Sequence, residues 1–358
     1  MDTQQNIQPQ GVPEQPKAKW YKNKKWIALI VALLVTASLI VSYFIFNRDA
    51  DAPSAAKTST QTESDSDEIP LAINPIDETK IPLGDNKVST EAKQGYIFSC
   101  QTSFNGGGAS DSNSWIDTAN NTWDATKKVS VSGAVEWPNA SYEASVSGGT
   151  RTITGNNLPI NGQTTGVYPV QSSDPAYQYD KNPNEIAEQS LSLSFPATPS
   201  NADSPSCVDM GAVGVLMDGV VLFNGLDAGG RDAAAYETLD SCDGHPEMTD
   251  EYHHHGVPSC ILSKYNEPST STLVGYAYDG YGIYVERDKN GDLLTNENLD
   301  ECHGHTSIVD WDGEKVKLYH YVATMEYPYV VGCFRATPQV MSTQTASLPE
   351  RQTPPLRR

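Results

Sequence analysis

Basic side chains are scarce in this sequence. Its 358 residues include 24 Lys and Arg against 45 Asp and Glu, which gives a formal net charge of −21 at pH 7. Such a chain repels the phosphate backbones of DNA and RNA, so we expect no nucleic-acid partner. The motifs G-x-S-x-G and H-E-x-x-H and the P-loop are also missing. The serine-hydrolase, metalloprotease and nucleotide-binding chemistries that depend on these motifs therefore have no support.

Long amphipathic helices are missing as well. Segments such as Val129–Val135 and Arg151–Thr154 alternate polar and apolar residues and end at turn-forming residues, which is typical of short strands. No alternation of strand and helix patterns suggests a parallel sheet. We therefore predict a mainly β fold, an antiparallel sandwich or jelly roll.

One apolar run stands out near the N-terminus. Residues 27–46 contain no charged side chain and are long enough to cross a bilayer once as a helix. A cluster of lysines precedes the run and favours a cytoplasmic N-terminus, namely Lys17, Lys19, Lys22, Lys24 and Lys25. We predict an uncleaved single-pass anchor with the C-terminal domain in the periplasm or outside the cell. A cleaved signal peptide remains the alternative.

Segments poor in apolar residues flank the predicted span and the predicted domain. Their composition predicts a cytoplasmic tail at residues 1–26, a disordered stalk at 47–94 and a disordered tail at 337–358. The folded domain is predicted at residues 95–336.

The most informative pattern is an internal duplication. Gly214–Phe223 and Gly275–Tyr284 both predict a strand, an Asp-Gly turn and a second strand. Leu239–His245 and Leu299–His305 then share the pattern Leu-Asp-x-Cys-x-Gly-His. The sequence therefore predicts two related halves, at about residues 211–262 and 272–335, related by a pseudo-two-fold axis.

The six cysteines all lie beyond the predicted anchor, where an oxidising compartment favours disulfides. Six cysteines allow 15 pairings. Equivalent residues in duplicated halves should bond equivalently, which predicts Cys242–Cys260 and Cys302–Cys333 and leaves Cys100–Cys207. A symmetric cross-link from Cys242 to Cys302 is the alternative.

Histidine is absent from the first 244 residues, and all seven histidines lie in the duplicated region. Side chains at i and i+2 of a strand share a face, and neutral imidazoles bind Cu, Zn, Ni and Fe(II). We predict that five histidines converge near the pseudo-two-fold axis and that three or four of them bind one transition-metal ion such as copper or zinc, namely His245, His253, His255, His305 and His320. His303 is the reserve ligand, and His254 is excluded because it alternates to the opposite face.

Two other interpretations of the histidines remain open. They are either structural, with hydrogen bonds to turns and packing among tyrosines, or acid–base catalysts that pair with Asp240, Asp243 or Asp300. The acidic residues from Asp227 to Asp240, Glu237 among them, are expected to form a solvated loop.

Glu251–Cys260 and Leu318–Thr324 carry related Tyr-His motifs, and with Arg151–Pro159, Gly166–Pro169 and Tyr327–Cys333 they resemble the YHYH protein family. His254 replaces the second Tyr of the first motif and Val322 the last His of the second. The resemblance covers about residues 96–336. It implies the fold and an exported location, but no particular reaction.

The sequence thus predicts a membrane-anchored metal-binding domain, acting as an oxidoreductase or a scavenger. The alternatives are a disulfide-stabilised recognition or adhesion module for a glycan, peptide or small molecule, and a metal-independent hydrolase. No catalytic residue is assigned, and the sequence leaves open whether the protein is an enzyme and whether it is an oligomer.

Overall fold

A computed structural model describes residues 73–104, 106 and 113–339 of the chain. The predicted anchor at residues 27–46, the cytoplasmic tail and nearly all of the C-terminal tail lie outside the described residues. Within those residues, no helix has both the length and the hydropathy to cross a bilayer.

Short strands dominate the N-terminal part of the described chain. One three-stranded sheet contains β1 (Ile81–Pro82), β4 (Ile116–Asp117) and β5 (Thr122–Trp123), and β2 (Val88–Ser89) pairs with β3 (Ile97–Phe98). A second three-stranded antiparallel sheet contains β6 (Tyr142–Ser147), β7 (Thr150–Gly155) and β8 (Leu191–Pro196).

The predicted disordered stalk extends too far along the chain. Residues 73–94 contain β1 and β2, and the side chains of Ile81 and Leu83 are 0% and 1% exposed. They pack with Trp115 and Trp123. The assignment of 47–94 as disordered is therefore wrong from residue 73 onwards, because a few apolar side chains are buried by residues distant in sequence.

The largest element is an eight-stranded sheet. Its strands are β9 (Ala212–Leu216), β10 (Val221–Phe223), β11 (Gly244–Pro246), β12 (Tyr252–His254), β13 (Thr270–Ala277), β14 (Gly282–Arg287), β15 (Gly304–Trp311) and β16 (Glu314–Val322). The described helices are short: α1 (Ala233–Tyr236), α2 (Ser259–Leu262), and the 3-10 helices Ala125–Lys127, Pro175–Gln178 and Asn296–Asn298.

The strand order of this sheet reflects the duplication. It runs β11-β12-β10-β9-β13-β14-β16-β15, so that each half contributes four strands in mirrored order. The halves meet where β9 pairs with β13 in antiparallel register, Val215 opposite Tyr276. A Cβ atom on Gly214 would lie 2.8 Å from the backbone carbonyl oxygen of Tyr276. A Cβ atom on Gly275 would lie 2.7 Å from the backbone carbonyl oxygen of Val215. Glycine at these equivalent positions therefore permits the central strands to approach.

The predicted mainly β class is confirmed, and the finer prediction of a sandwich or jelly roll is not. Most strand pairs are antiparallel, but β10 pairs with β12 and β14 with β16 in parallel. In each half, the outermost strand, β11 or β15, lies in the chain between the two strands of the parallel pair. That connection follows from the mirrored order and could not be read from strand patterns.

The three predicted disulfides are present: Cys100–Cys207, Cys242–Cys260 and Cys302–Cys333. The alternative Cys242–Cys302 cross-link is wrong. The last two disulfides occupy equivalent places in the two halves, and each closes a loop within its own half.

Candidate metal centre

The first and third positions of each Tyr-His motif anchor the strand that carries it. Tyr252 donates its hydroxyl hydrogen bond to Asp240 (2.9 Å), and its counterpart Tyr319 donates to Asp300 (3.0 Å). At the third position, Tyr321 donates to Asp279 (2.7 Å) in the second half. These contacts orient the side chains at the intervening positions.

His254 takes the third position in the first half. Its Nε2 lies 3.2 Å from Oδ2 of Asp218, the aspartate of the first Asp-Gly turn. Asp279 is the aspartate of the second Asp-Gly turn, so histidine and tyrosine serve the same structural purpose there. The prediction that His254 faces away from the other histidines is confirmed.

Asn157 also positions β12. Its side chain donates to the Tyr252 carbonyl and accepts from the Val221 amide, both at 2.8 Å. This fully buried amide therefore connects β10 to β12 at the start of the first motif.

Three histidines and a glutamate meet beside the β11–β12 pair, and we call them the first-half group: Glu237, His245, His253 and His255. His245 and His253 face each other across the two strands, His255 follows β12, and Glu237 ends α1. Their exposed fractions are 8%, 6%, 2% and 4% in chain order. Phe223 stacks on the His253 ring with 3.9 Å between centroids and covers one side.

The ligand atoms of the first-half group are close together. Glu237 Oε2 lies 3.0 Å from His245 Nε2 and 2.8 Å from His255 Nε2. His255 Nε2 lies 3.2 Å from His253 Nε2 and 3.4 Å from His245 Nε2. Metal–ligand bonds of about 2.0–2.2 Å place neighbouring donor atoms about 2.9–3.6 Å apart in tetrahedral or octahedral geometry. These four separations fit a single ion, and all four ligand atoms of the group lie within 4.8 Å of one another.

Backbone carbonyls fix the tautomers of two of these rings. His253 Nδ1 lies 3.1 Å from the Glu251 carbonyl, and His255 Nδ1 lies 2.6 Å from the Asn224 carbonyl. Since a carbonyl only accepts, each Nδ1 carries a hydrogen, and a neutral ring then has a lone pair on Nε2. Burial and the neighbouring rings of His245 and His255 lower the pKa of His253 well below its usual value. The Nε2 lone pair of His253 therefore faces His255 Nε2, and either a proton or a metal ion between the two nitrogens would stabilise this contact.

The carboxylate of Glu237 provides the fourth ligand atom of the first-half group. Despite its two close imidazole nitrogens, its buried Oε2 takes part in no hydrogen bond of acceptable geometry. Burial raises the pKa of this carboxyl, but electrostatic attraction to His245 and His255 outweighs it and lowers the pKa well below its usual value. The carboxylate and the three imidazoles thus present their ligand atoms to a common centre.

The equivalent place in the other half contains Glu286 on β14, His305 on β15 and His320 on β16, which we call the second-half group. His305 and His320 face each other across β15 and β16. Their Nε2 atoms lie 2.8 and 2.9 Å from different oxygens of Glu286, in hydrogen-bonding geometry.

Hydrogen bonds satisfy the second-half group. His320 lies with Nδ1 2.9 Å from the Leu318 carbonyl and with Nε2 2.9 Å from Glu286, so both ring nitrogens face acceptors. Ser271 donates to the same carboxylate at 2.6 Å. Burial raises the pKa of Glu286, but the hydrogen bonds from His305 and His320 outweigh it and lower the pKa. Unlike Glu237, this carboxylate has hydrogen-bond donors on both oxygens.

The expectation that the five histidines converge near the pseudo-two-fold axis is wrong. His245, His253 and His255 meet in one group, and His305 and His320 meet in another. In the mirrored sheet, five strand spacings separate β12 from β16, roughly 24 Å along the sheet. The two-fold axis places the equivalent histidines far apart instead of together.

The reserve ligand His303 belongs to neither group. Its φ of 73° lies in the left-handed region, so the alternation of a strand does not extend back to it from His305. Its Nε2 lies 3.0 Å from the Thr324 hydroxyl, and burial lowers its pKa to about 3. His303 is a neutral buried side chain.

Sequence reasoning missed both glutamates. The acidic residues expected in a solvated loop are buried, with Asp227, Asp232, Glu237 and Asp240 at most 8% exposed. At the 60-residue offset of the duplication, Glu237 aligns with Glu297, which does not belong to the second-half group, so the duplication did not single out Glu237 as a ligand. The signal for Glu286 was a charged residue directly after the apolar segment Gly282–Val285.

One protein family matches a segment of the chain that includes part of these groups. Residues 192–295 match the model of the YHYH protein family. The resemblance is confirmed over that segment. The YHYH match contains the first-half group and Glu286, and it ends before His305 and His320. No curated protein and no solved structure gives a significant match to the chain.

Proposed function

We propose that the first half of this YHYH-type domain binds one transition-metal ion through His245, His253 and His255 Nε2 and Glu237 Oε2. The observation that carries the proposal is the buried Glu237 Oε2, which has no aligned hydrogen-bond donor, in a group with three imidazole nitrogens. A divalent cation at the common centre would satisfy all of them at once.

The donor set indicates which metals fit. Three imidazoles and a carboxylate suit copper and zinc, and thiolate ligands are unavailable because the cysteines form disulfides. With four protein ligands, the site is closed. Closed sites hold metal tightly or exchange electrons, whereas hydrolytic metal sites keep a position open for water. Metal retention or electron transfer therefore suits this centre better than hydrolysis.

We further propose that the domain acts outside the cytoplasm on its predicted single-pass anchor. Three disulfides support an oxidising compartment. Intact cells are treated with a protease or labelled with a membrane-impermeant reagent to test this location. Protection of the domain until the cells are lysed would contradict it.

Metal analysis tests the proposed centre. The full chain is purified with its disulfides intact, stripped with a chelator and dialysed against Cu(II) or Zn(II). We expect one equivalent of retained metal in the wild type. His245→Ala should weaken binding by more than about 100-fold, whereas His305→Ala, the matched change in the second half, should leave it unchanged. Metal retention that is equally lost in both variants, or absent from the wild type, would overturn the proposal.

A further inference from the structure

A cavity of about 560 Å³ lies beside the first-half group. Its walls come from the N-terminal part of the described chain and from both halves. They combine the carboxylates of Glu78, Asp240, Asp243 and Asp292 with apolar side chains, including Ile81, Trp123, Val257, Leu262, Leu294 and Met325. This volume and lining are typical of sites for small organic molecules.

Lys128 is one of two cations in the lining of this cavity, with Arg287. Its partly buried ammonium donates to the Ala234 carbonyl at 2.5 Å and, among the described residues, has no carboxylate within 4 Å. Burial lowers the pKa of the ammonium to about 8. An anion beside it would compensate for its lost hydration.

Other charged groups of the lining are already occupied. The Arg287 guanidinium donates to the carbonyls of Leu262, Tyr265 and Gly291. The Asp240 carboxylate accepts from Tyr252 and from the amides of Gly166, Cys242 and Gly244, and Asp243 accepts from the Ser259 amide. Three carbonyls thus fix the Arg287 guanidinium, whereas the Lys128 ammonium donates to one carbonyl and is the less constrained of the two cations.

His255 connects the cavity with the proposed metal centre. Its ring lines the cavity, while its Nε2 lies 2.8 Å from Glu237 and its Nδ1 is held by the Asn224 carbonyl. A molecule in the cavity can therefore contact the His255 ring while His255 Nε2 still faces the proposed metal.

We propose that this cavity binds an organic anion with an apolar body, such as a medium-chain carboxylate, whose charged end pairs with Lys128 and whose body contacts His255. The effect of this anion on the metal rests on the proposed function, whereas the binding of the anion in the cavity does not.

Titration with decanoate tests both parts. By calorimetry, we expect decanoate to bind the full chain, Lys128→Gln to weaken binding by at least about tenfold, and Lys128→Arg to retain it. The control is Lys127→Gln, which removes a neighbouring cation whose side chain is 71% exposed and pairs with Asp124. It should bind decanoate as the wild type does. Decan-1-ol, which has the chain but no charge, should bind at least about tenfold more weakly than decanoate.

The Cu(II)-loaded protein gives the second readout. Saturation with decanoate should shift its visible absorption spectrum, and the shift should be lost in Lys128→Gln. No decanoate binding, or equal binding to Lys128→Gln and wild type, overturns the cavity site even where copper is retained. Decanoate binding to a chain that retains no metal supports the cavity site and rejects the proposed function. Binding without a spectral shift overturns the contact with the centre.

Discussion

The two halves of the eight-stranded sheet differ in how they neutralise a buried glutamate. In the second half, His305 and His320 lie at hydrogen-bonding distance from different oxygens of Glu286, whereas the first half adds a third imidazole, His255, and its glutamate oxygen has no aligned donor. Val322 occupies the place of His255 in the second half, because Tyr321 and His254 hold equivalent registers on β14 and β10. The third imidazole and the position of the glutamate, after α1 in one half and on β14 in the other, thus distinguish the candidate metal centre from the second-half group.

The largest effect is expected from His320→Ala. Removing one partner of a buried ion pair leaves Glu286 uncompensated, which should reduce the free energy of unfolding by about 3–5 kcal/mol. Denaturant unfolding followed by tyrosine and tryptophan fluorescence measures it. The double variant Glu286→Gln/His320→Ala should recover part of the loss. A loss below about 1 kcal/mol for His320→Ala would show that Glu286 is not charged.

Val322→His should convert the second half into a metal site. The new imidazole follows Tyr321 as His255 follows His254, so we expect the retained metal to rise from one equivalent to two. The fully buried position makes overpacking costly, about 1–3 kcal/mol. Val322→Phe adds bulk without a ligand and should stay at one equivalent. An unchanged stoichiometry in a folded Val322→His protein would contradict the comparison.

Acid should destabilise the second half through Glu286. A carboxyl whose pKa is lowered on folding stabilises the protein above its ordinary value of 4.5, and this contribution is lost as the pH falls below that value. We expect the denaturation midpoint of metal-free protein to fall between pH 5 and pH 3. Glu286→Gln should make that fall shallower. An equally steep fall in this variant would assign the acid sensitivity to other groups.

The smallest effect is expected from His254→Tyr, which restores the tyrosine of the family motif. Tyr321 already makes the equivalent contact with Asp279, so the change should alter stability by only about 1 kcal/mol and leave metal retention unchanged. Loss of metal in this variant would show that His254 does more than anchor β12.

Much of the local structure could be predicted from the residues. The Asp-Gly hairpins, the intra-half disulfides and the opposite orientation of His254 follow from period-two alternation and from the duplication. The grouping of His245, His253 and His255 was also predicted. The partners of these histidines were not, because Glu237 comes from a four-residue helix and Glu286 from an apolar strand, and neither belongs to a histidine motif.

The sequence by itself determined that there are two related halves, that each presents histidines on one face of a strand pair, and that each closes its own disulfide. Only the tertiary structure decided that the halves pair through β9 and β13. This pairing puts the Tyr-His strands toward opposite edges of the sheet, so the histidines form two groups, each with its own glutamate. Side-chain alternation depends on neighbouring residues, whereas the strand order depends on which long-range backbone pairing buries the most apolar surface.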